Sequence, residues 1–95
     1  MEAKTIWKYA LDPMRTESIE MPIGSKILHV AGQHGLVCFW AEIPERPEDG
    51  PSESRTFFVT GTGHPLPNGE SVVQHVGTAF TQIGALVWHV YEVLP

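Results

Sequence analysis

The stretch Leu36 to Ile43 limits the fold more tightly than any other. Read with strand periodicity, Val37, Phe39, Ala41 and Ile43 point to one side and Leu36, Cys38 and Trp40 to the other. An antiparallel sheet with one wet face alternates apolar and polar residues, and this run does not. Both of its faces call for cover, by a second layer or by another subunit. Ala85 to Val93 repeats the pattern, with Leu86, Trp88 and Val90 against Val87, His89 and Tyr91.

Around these runs the chain alternates and breaks at intervals of about ten residues, the rhythm of a small sandwich or barrel. Thr5 to Leu11 sets Trp7, Tyr9 and Leu11 against Lys8, and Asp12-Pro13-Met14-Arg15 then turns, since Asp before Pro starts turns. Glu17 to Met21 alternates again and is broken by Pro22-Ile23-Gly24-Ser25. Lys26 to Ala31 is joined through Gly32-Gln33-His34-Gly35 to Leu36–Ile43 as a β-hairpin. Residues 44–54 hold Pro44, Pro47, Pro51 and Gly50 among Glu45, Glu48, Asp49 and Glu53, and read as a mobile, solvated acidic loop. Arg55 to Thr60 is a fifth strand with Phe57 and Val59 on one face; Asn68-Gly69 is a turn, and Ser71 to Val76 a sixth strand. Gly77 either bends that strand or marks a bulge before Thr78–Thr81, and Gln82-Ile83-Gly84 turns into the last strand. No segment favours a helix; Gly77 and Gly84 leave room for one turn at most in 76–84. The reading is one all-β domain over residues 1–95, a small antiparallel sandwich or partly open barrel of about seven strands.

Charge narrows the function. The formal net charge of −5 argues against a protein that grips long nucleic acid, which needs a basic face. No apolar run approaches membrane-spanning length, and Met1-Glu2-Ala3-Lys4 has no apolar signal region, so the expected setting is a cytoplasm. Cys38 stands alone within an apolar run and reads as a buried, inert thiol.

Among segments without a core role, Thr60-Gly61-Thr62-Gly63-His64-Pro65 stands out. Its glycines reach positive φ without steric cost, and successive N–H groups around them can form a concave nest for an anion or carbonyl oxygen; a plain β-turn is the competing reading. It is not a phosphate-binding P-loop, because no Lys-Ser or Lys-Thr follows. The histidines His29, His34, His64, His75 and His89 lack the spacing of a metal motif, so no metal and no cofactor is expected. His29 and His89, mid-strand, read as core residues or as the lining of a pocket. No serine sits in a nucleophile elbow, and no catalytic residue is assigned. Binding is what remains. Trp40, with Trp88 or Trp7, offers a flat surface for a ring. Thr60, Thr62, Gly63, His64 and His89 offer polar edges. Arg55 can offset ligand charge or neutralise Glu53, while Arg46 reads as a salt-bridge partner in the acidic loop.

Trp7-Lys8-Tyr9, Ile19-Glu20-Met21-Pro22, Ile27-Leu28-His29-Val30, Trp40-Ala41, Arg55-Thr56-Phe57, Gly61-Thr62-Gly63-His64-Pro65, Gly77-Thr78 and Leu86-Val87-Trp88-His89-Val90 together carry a resemblance across nearly the whole chain. The chain resembles a family of small, uncharacterised proteins encoded by bacteriophages and phage-rich bacterial genomes. That resemblance implies a virion part or an accessory protein that blunts host defence. The leading expectation is a homo-oligomeric binding protein in the cytoplasm of an infected bacterium. It would sequester a small nucleotide-like signal, a cyclic nucleotide or an ADP-ribose derivative, without catalysis. A structural or protein-masking module is the alternative, and a small nucleotide hydrolase using His64 or His89 as base is a third.

Overall fold

The computed structural model describes residues 4–44, 50–66 and 72–94. Seven antiparallel strands form two sheets: β1 (Thr5–Leu11), β2 (Thr16–Pro22), β3 (Lys26–Gln33), β4 (Leu36–Ile43), β5 (Ser52–Gly61), β6 (Val72–Thr81) and β7 (Leu86–Leu94). One sheet has the order β1-β4-β3 and the other β2-β5-β7-β6, so the chain makes an open sandwich and not a closed barrel. No helix among the described residues is long and apolar enough to cross a membrane.

Alternation decides what lies between the sheets. Tyr9 and Leu11 from β1 and Val37, Phe39, Ala41 and Ile43 from β4 meet Ile19 and Met21 from β2, Phe57 and Val59 from β5, Ala79 from β6 and Val90 from β7. The Tyr9 ring stacks on Phe39 with centroids 5.0 Å apart, and Phe39 meets Phe57 at 4.9 Å with the rings tilted by 38°. The sheets come closest where β3 crosses β6. A Cβ on Gly32 would stand 1.9 Å from the Phe80 carbonyl oxygen, and one on Gly77 would stand 2.7 Å from Val30 Cβ. Only glycine allows that approach.

The other face of β4 is covered in part. Cys38 is buried, and Lys8 Nζ donates to Gln33 Oε1 at 2.7 Å, bridging β1 and β3 across β4. Leu36 stays exposed and Trp40 half-buried. The expectation that both faces of this strand be covered thus holds in full for the inner face alone.

Several boundaries differ from the periodic reading. β5 begins at Ser52, so Ser52–Ser54 are strand and pair with Pro22, Met21 and Glu20. The ladder needs backbone groups, which serine and glutamate supply without any apolar alternation. At its other end β5 goes past Thr60 by one residue to take in Gly61, opposite Trp88. The β3–β4 turn is shorter than expected. His34 and Gly35 both have positive φ (54° and 78°), the two-residue type I′ geometry whose twist suits a hairpin. β6 runs through Gly77 with its register shift between His75 and Gly77, which makes Val76 the bulge. Residues 45–49, with Arg46 and most of the acidic loop, and the Asn68-Gly69 turn lie outside the described residues.

The pairings place turns 12–15, 34–35, 61–65 and 82–85 at one end of the sandwich, called here the loop end. The turn at 22–25 lies at the other, with β5 entering beside it.

Candidate functional site

The glycine stretch closes a tight turn at the loop end. His64 N donates to the Gly61 carbonyl at 3.1 Å, and Gly63 has φ +88°, a type II requirement that a side chain resists. Gly61 is tight for a different reason: a Cβ there would lie 3.1 Å from His64 Cδ2 and 3.5 Å from Trp88 Cζ3. The backbone is therefore pinched between an imidazole and an indole. Thr60 is buried in β5 and donates to the Pro65 carbonyl at 3.2 Å, which ties the turn back to its strand.

On the outer face of the larger sheet the turn meets a chain of hydroxyls and imidazoles. Thr62 Oγ1 lies 2.8 Å from His89 Nε2. Thr78 Oγ1 lies 3.4 Å from His89 Nδ1 and 3.3 Å from His75 Nε2. The His75 ring in turn meets Tyr91 edge-on at 5.2 Å. A neutral imidazole donates through one nitrogen and accepts through the other, and a hydroxyl does both, so the chain can run in either direction. Two depressions flank the turn. One of about 270 Å³ is lined by Thr62, Gly63, His64, Leu66, His89 and Tyr91. The other, of about 320 Å³, is lined by Gly61, His64, Leu86, Val87 and Trp88. Among the described residues no carboxylate, lysine or arginine lines either one.

Six of the residues singled out in the sequence thus converge: Thr60, Thr62, Gly63, His64, Trp88 and His89. The hydroxyl of Thr60 and the indole N–H of Trp88, which donates to Thr81 Oγ1 at 2.9 Å, already have partners. Trp40 stands apart on the smaller sheet, its ring tilted against exposed His29 at 5.9 Å, and Trp7 pairs with Ala41 on β1. Arg55 also stands apart, near the opposite end. Its Nε and Nη2 donate to the Glu92 carboxylate at 2.7 and 2.8 Å, and its Nη1 donates to the Ser25 carbonyl at 2.7 Å. The Glu92 hydrogen bond raises the guanidinium's pKa further, so this charge is committed to the fold. A cavity of about 350 Å³ beside it, lined by Lys26, Gln74 and His75, has the ion pair as one wall.

His75, Thr78 and Tyr91 were not singled out by sequence reasoning. Tyr91 could have been found, since it shares a strand face with His89. The other two depend on the bulge at Val76. Among the described residues no group of three His, Cys, Asp or Glu side chains is placed to hold a metal ion.

No curated protein and no solved structure matches this chain. One family model does match, and it takes in scaffold and turn alike: over residues 2–95 the chain belongs to the family described as a domain of unknown function, DUF7352.

Proposed function

We propose that this protein is an oligomeric binding protein that sequesters a small nucleotide-like ligand without catalysis. The observation that carries the reading is the turn itself. A glycine backbone held against an indole has the Thr62–His89–Thr78 hydroxyl–imidazole chain on one side and, on the other, a depression whose described lining is uncharged. Hydroxyls and imidazoles match ribose hydroxyls and phosphate oxygens, and an aromatic edge beside an apolar wall matches a base. His64 is exposed and forms a wall of both depressions, so rotation of its ring would join them into one site of ligand size. Trp88, Thr62, Gly63, His64 and His89 carry the binding, with Tyr91, His75 and Thr78 behind them. The resemblance to small phage-encoded proteins favours a cyclic nucleotide or ADP-ribose derivative used as a host defence signal, captured in the cytoplasm of the infected cell.

Calorimetry against a panel of cyclic nucleotides and cyclic ADP-ribose species tests this. The expected result is one ligand bound tighter than micromolar and recovered intact after denaturation. His89→Ala and Thr62→Val should weaken it at least tenfold, while Trp40→Phe should not. Absence of binding across the panel refutes the reading, and a chemically altered ligand replaces it with hydrolysis.

A further inference from the structure

We infer that the glycine turn takes up an anionic group together with a proton, held by His89, so that the site loads more tightly as pH falls. This rests on the proposed reading of the turn as a ligand site, and it names the group that meets the ligand's charge.

Charge is what the site lacks. Among the described residues, the depression bounded by Thr62, Gly63, His64 and His89 has no carboxylate, lysine or arginine in its lining. An anion that leaves water for such a place needs an opposite charge or strong donors. Some of the donors are already spent: His64 N is bonded to the Gly61 carbonyl, and the Thr60 hydroxyl to the Pro65 carbonyl. The lining groups that can become positive are imidazoles.

His89 is the imidazole whose hydrogen bonds suit a second proton. Its Nε2 lies 2.8 Å from Thr62 Oγ1 and its Nδ1 lies 3.4 Å from Thr78 Oγ1. When neutral, the ring carries one N–H, so it donates to one hydroxyl and accepts from the other. As an imidazolium it donates to both, and both hydroxyl protons turn away from it. The Thr78 proton then goes to His75 Nε2, 3.3 Å away, and the Thr62 proton is free for a ligand oxygen. Protonation thus costs no hydrogen bond. It places a positive charge one hydroxyl behind the anion and makes Thr62 a donor to it. His64, on the exposed side of the turn, meets solvent instead.

Nothing else described around His89 supplies the negative charge. β6 brings Thr78 and His75, β5 brings Thr60, the turn brings Thr62 and His64, and its own strand brings Tyr91, a phenol that stays neutral where imidazoles titrate. Glu92 points from the other face of β7 and is paired with Arg55. Among the described residues the bound anion is therefore the partner that favours the imidazolium. By linkage, an anion that favours the protonated ring takes up a proton when it binds, and its affinity rises as pH falls through the imidazole range.

Titration of the full chain with sulfate, whose charge is constant across that range, provides the test, read by NMR at an ionic strength held constant with chloride. Sulfate should bind at least about fivefold tighter at about pH 5.5 than at about pH 8. His89→Gln and Thr78→Val should each bring that ratio below about twofold. Thr78 does not line the depression, so its loss reports the hydrogen-bond chain and not contact with the anion. His34→Gln, on a neighbouring turn, should leave the ratio as it is. No sulfate binding at either pH overturns the inference. So does a ratio near one in the wild type, or a ratio that survives His89→Gln. The nucleotide reading fails separately: if the nucleotide panel does not bind while sulfate binds with its proton, the anion site stands and the ligand changes. A nucleotide that binds equally well at both pH values, with a sulfate ratio near one, removes the proton and leaves the nucleotide reading standing.

Discussion

The two ends of the sandwich use the same strands in opposite ways. At the loop end the backbone is unusual and charge stays at the surface, where Asp12 and Arg15 form an exposed pair. Non-glycine residues adopt left-handed φ at four positions, a glycine turn presses on Trp88, and imidazoles meet hydroxyls at the surface. At the other end the one left-handed position among the described turn residues is Gly24, a residue suited to it, while charge is drawn inward. Arg55 and Glu92 are 17% and 13% exposed and satisfy each other through two hydrogen bonds. The contrast separates two jobs. Buried, mutually satisfied polar groups tie the fold and leave little for a ligand. Strained, exposed turns weaken the monomer and keep their groups available.

The largest effect is expected where the two sheets meet. In Gly32→Ala the new methyl would overlap the Phe80 carbonyl oxygen, a backbone atom that cannot swing aside. A loss of about 3 kcal/mol or more is expected, read as a lower urea midpoint. Gly77→Ala should cost less, about 1–3 kcal/mol, because its obstacle is the Val30 side chain. Equal effects at the two glycines would mean that the sheets are not held rigidly at this crossing.

The far end supplies the next effect. Arg55→Ala leaves the Glu92 carboxylate largely buried and unpaired, and removes the donor to the Ser25 carbonyl. A loss of about 3 kcal/mol is expected in thermal or urea unfolding. Replacing both partners, Arg55→Met with Glu92→Leu, should recover most of it. Nucleotide affinity should be unchanged in the double variant, and a large drop there would move the binding site from the glycine turn to the cavity beside Arg55.

How much of this could be read from the chain differs between the two ends for a physical reason. Strands β1 and β4 were legible because Tyr9, Leu11, Phe39 and Ile43 report their burial by alternation. The start of β5 was not, because Ser52–Ser54 join an edge ladder through backbone groups, and no side-chain pattern marks that. The turn at 61–65 was legible from its glycines. Its neighbours were legible only in part: His89 and Trp88 lie on opposite faces of β7, and the turn reaches both because Gly61 passes beside Trp88 while Thr62 reaches round to His89. The Arg55–Glu92 pair joins residues 37 apart in sequence, and charge alone pointed as readily to Glu53. Trp40 carried the right chemistry for stacking but sits in the other sheet, a placement that only the strand order decides.

Ile83→Asn should act with the opposite sign. Asparagine accepts a left-handed φ that isoleucine resists, and the side chain has no intramolecular packing to lose. At concentrations low enough to keep the chain monomeric, a gain of about 1 kcal/mol is expected. A loss would show that Ile83 packs within its own chain after all. That would erase the distinction between an end built for stability and an end that gives some of it up.

The smallest effect tests whether the interior is as fully satisfied as the far end implies. The Tyr9 hydroxyl is sealed from solvent and has no hydrogen-bond partner among the described residues, although its ring is stacked on Phe39. Desolvation raises its pKa above the ordinary value near 10, and the positive charge of Arg55 opposes that shift. The native state therefore holds this proton at a pH where the unfolded chain has released it. Stability should fall as pH climbs from about 10 through the raised folded value. Tyr9→Phe removes both features. It should leave stability at neutral pH unchanged or higher by up to about 1 kcal/mol, because an unpaired buried hydroxyl contributes nothing to offset its own desolvation. It should also flatten the decline above pH 10, measured as unfolding midpoint against pH. A clear loss at neutral pH would mean that the phenol does have a partner in solution, with the Arg55 cluster as the nearest source of charge. The polar network at the far end would then reach deeper between the sheets than the ion pair alone.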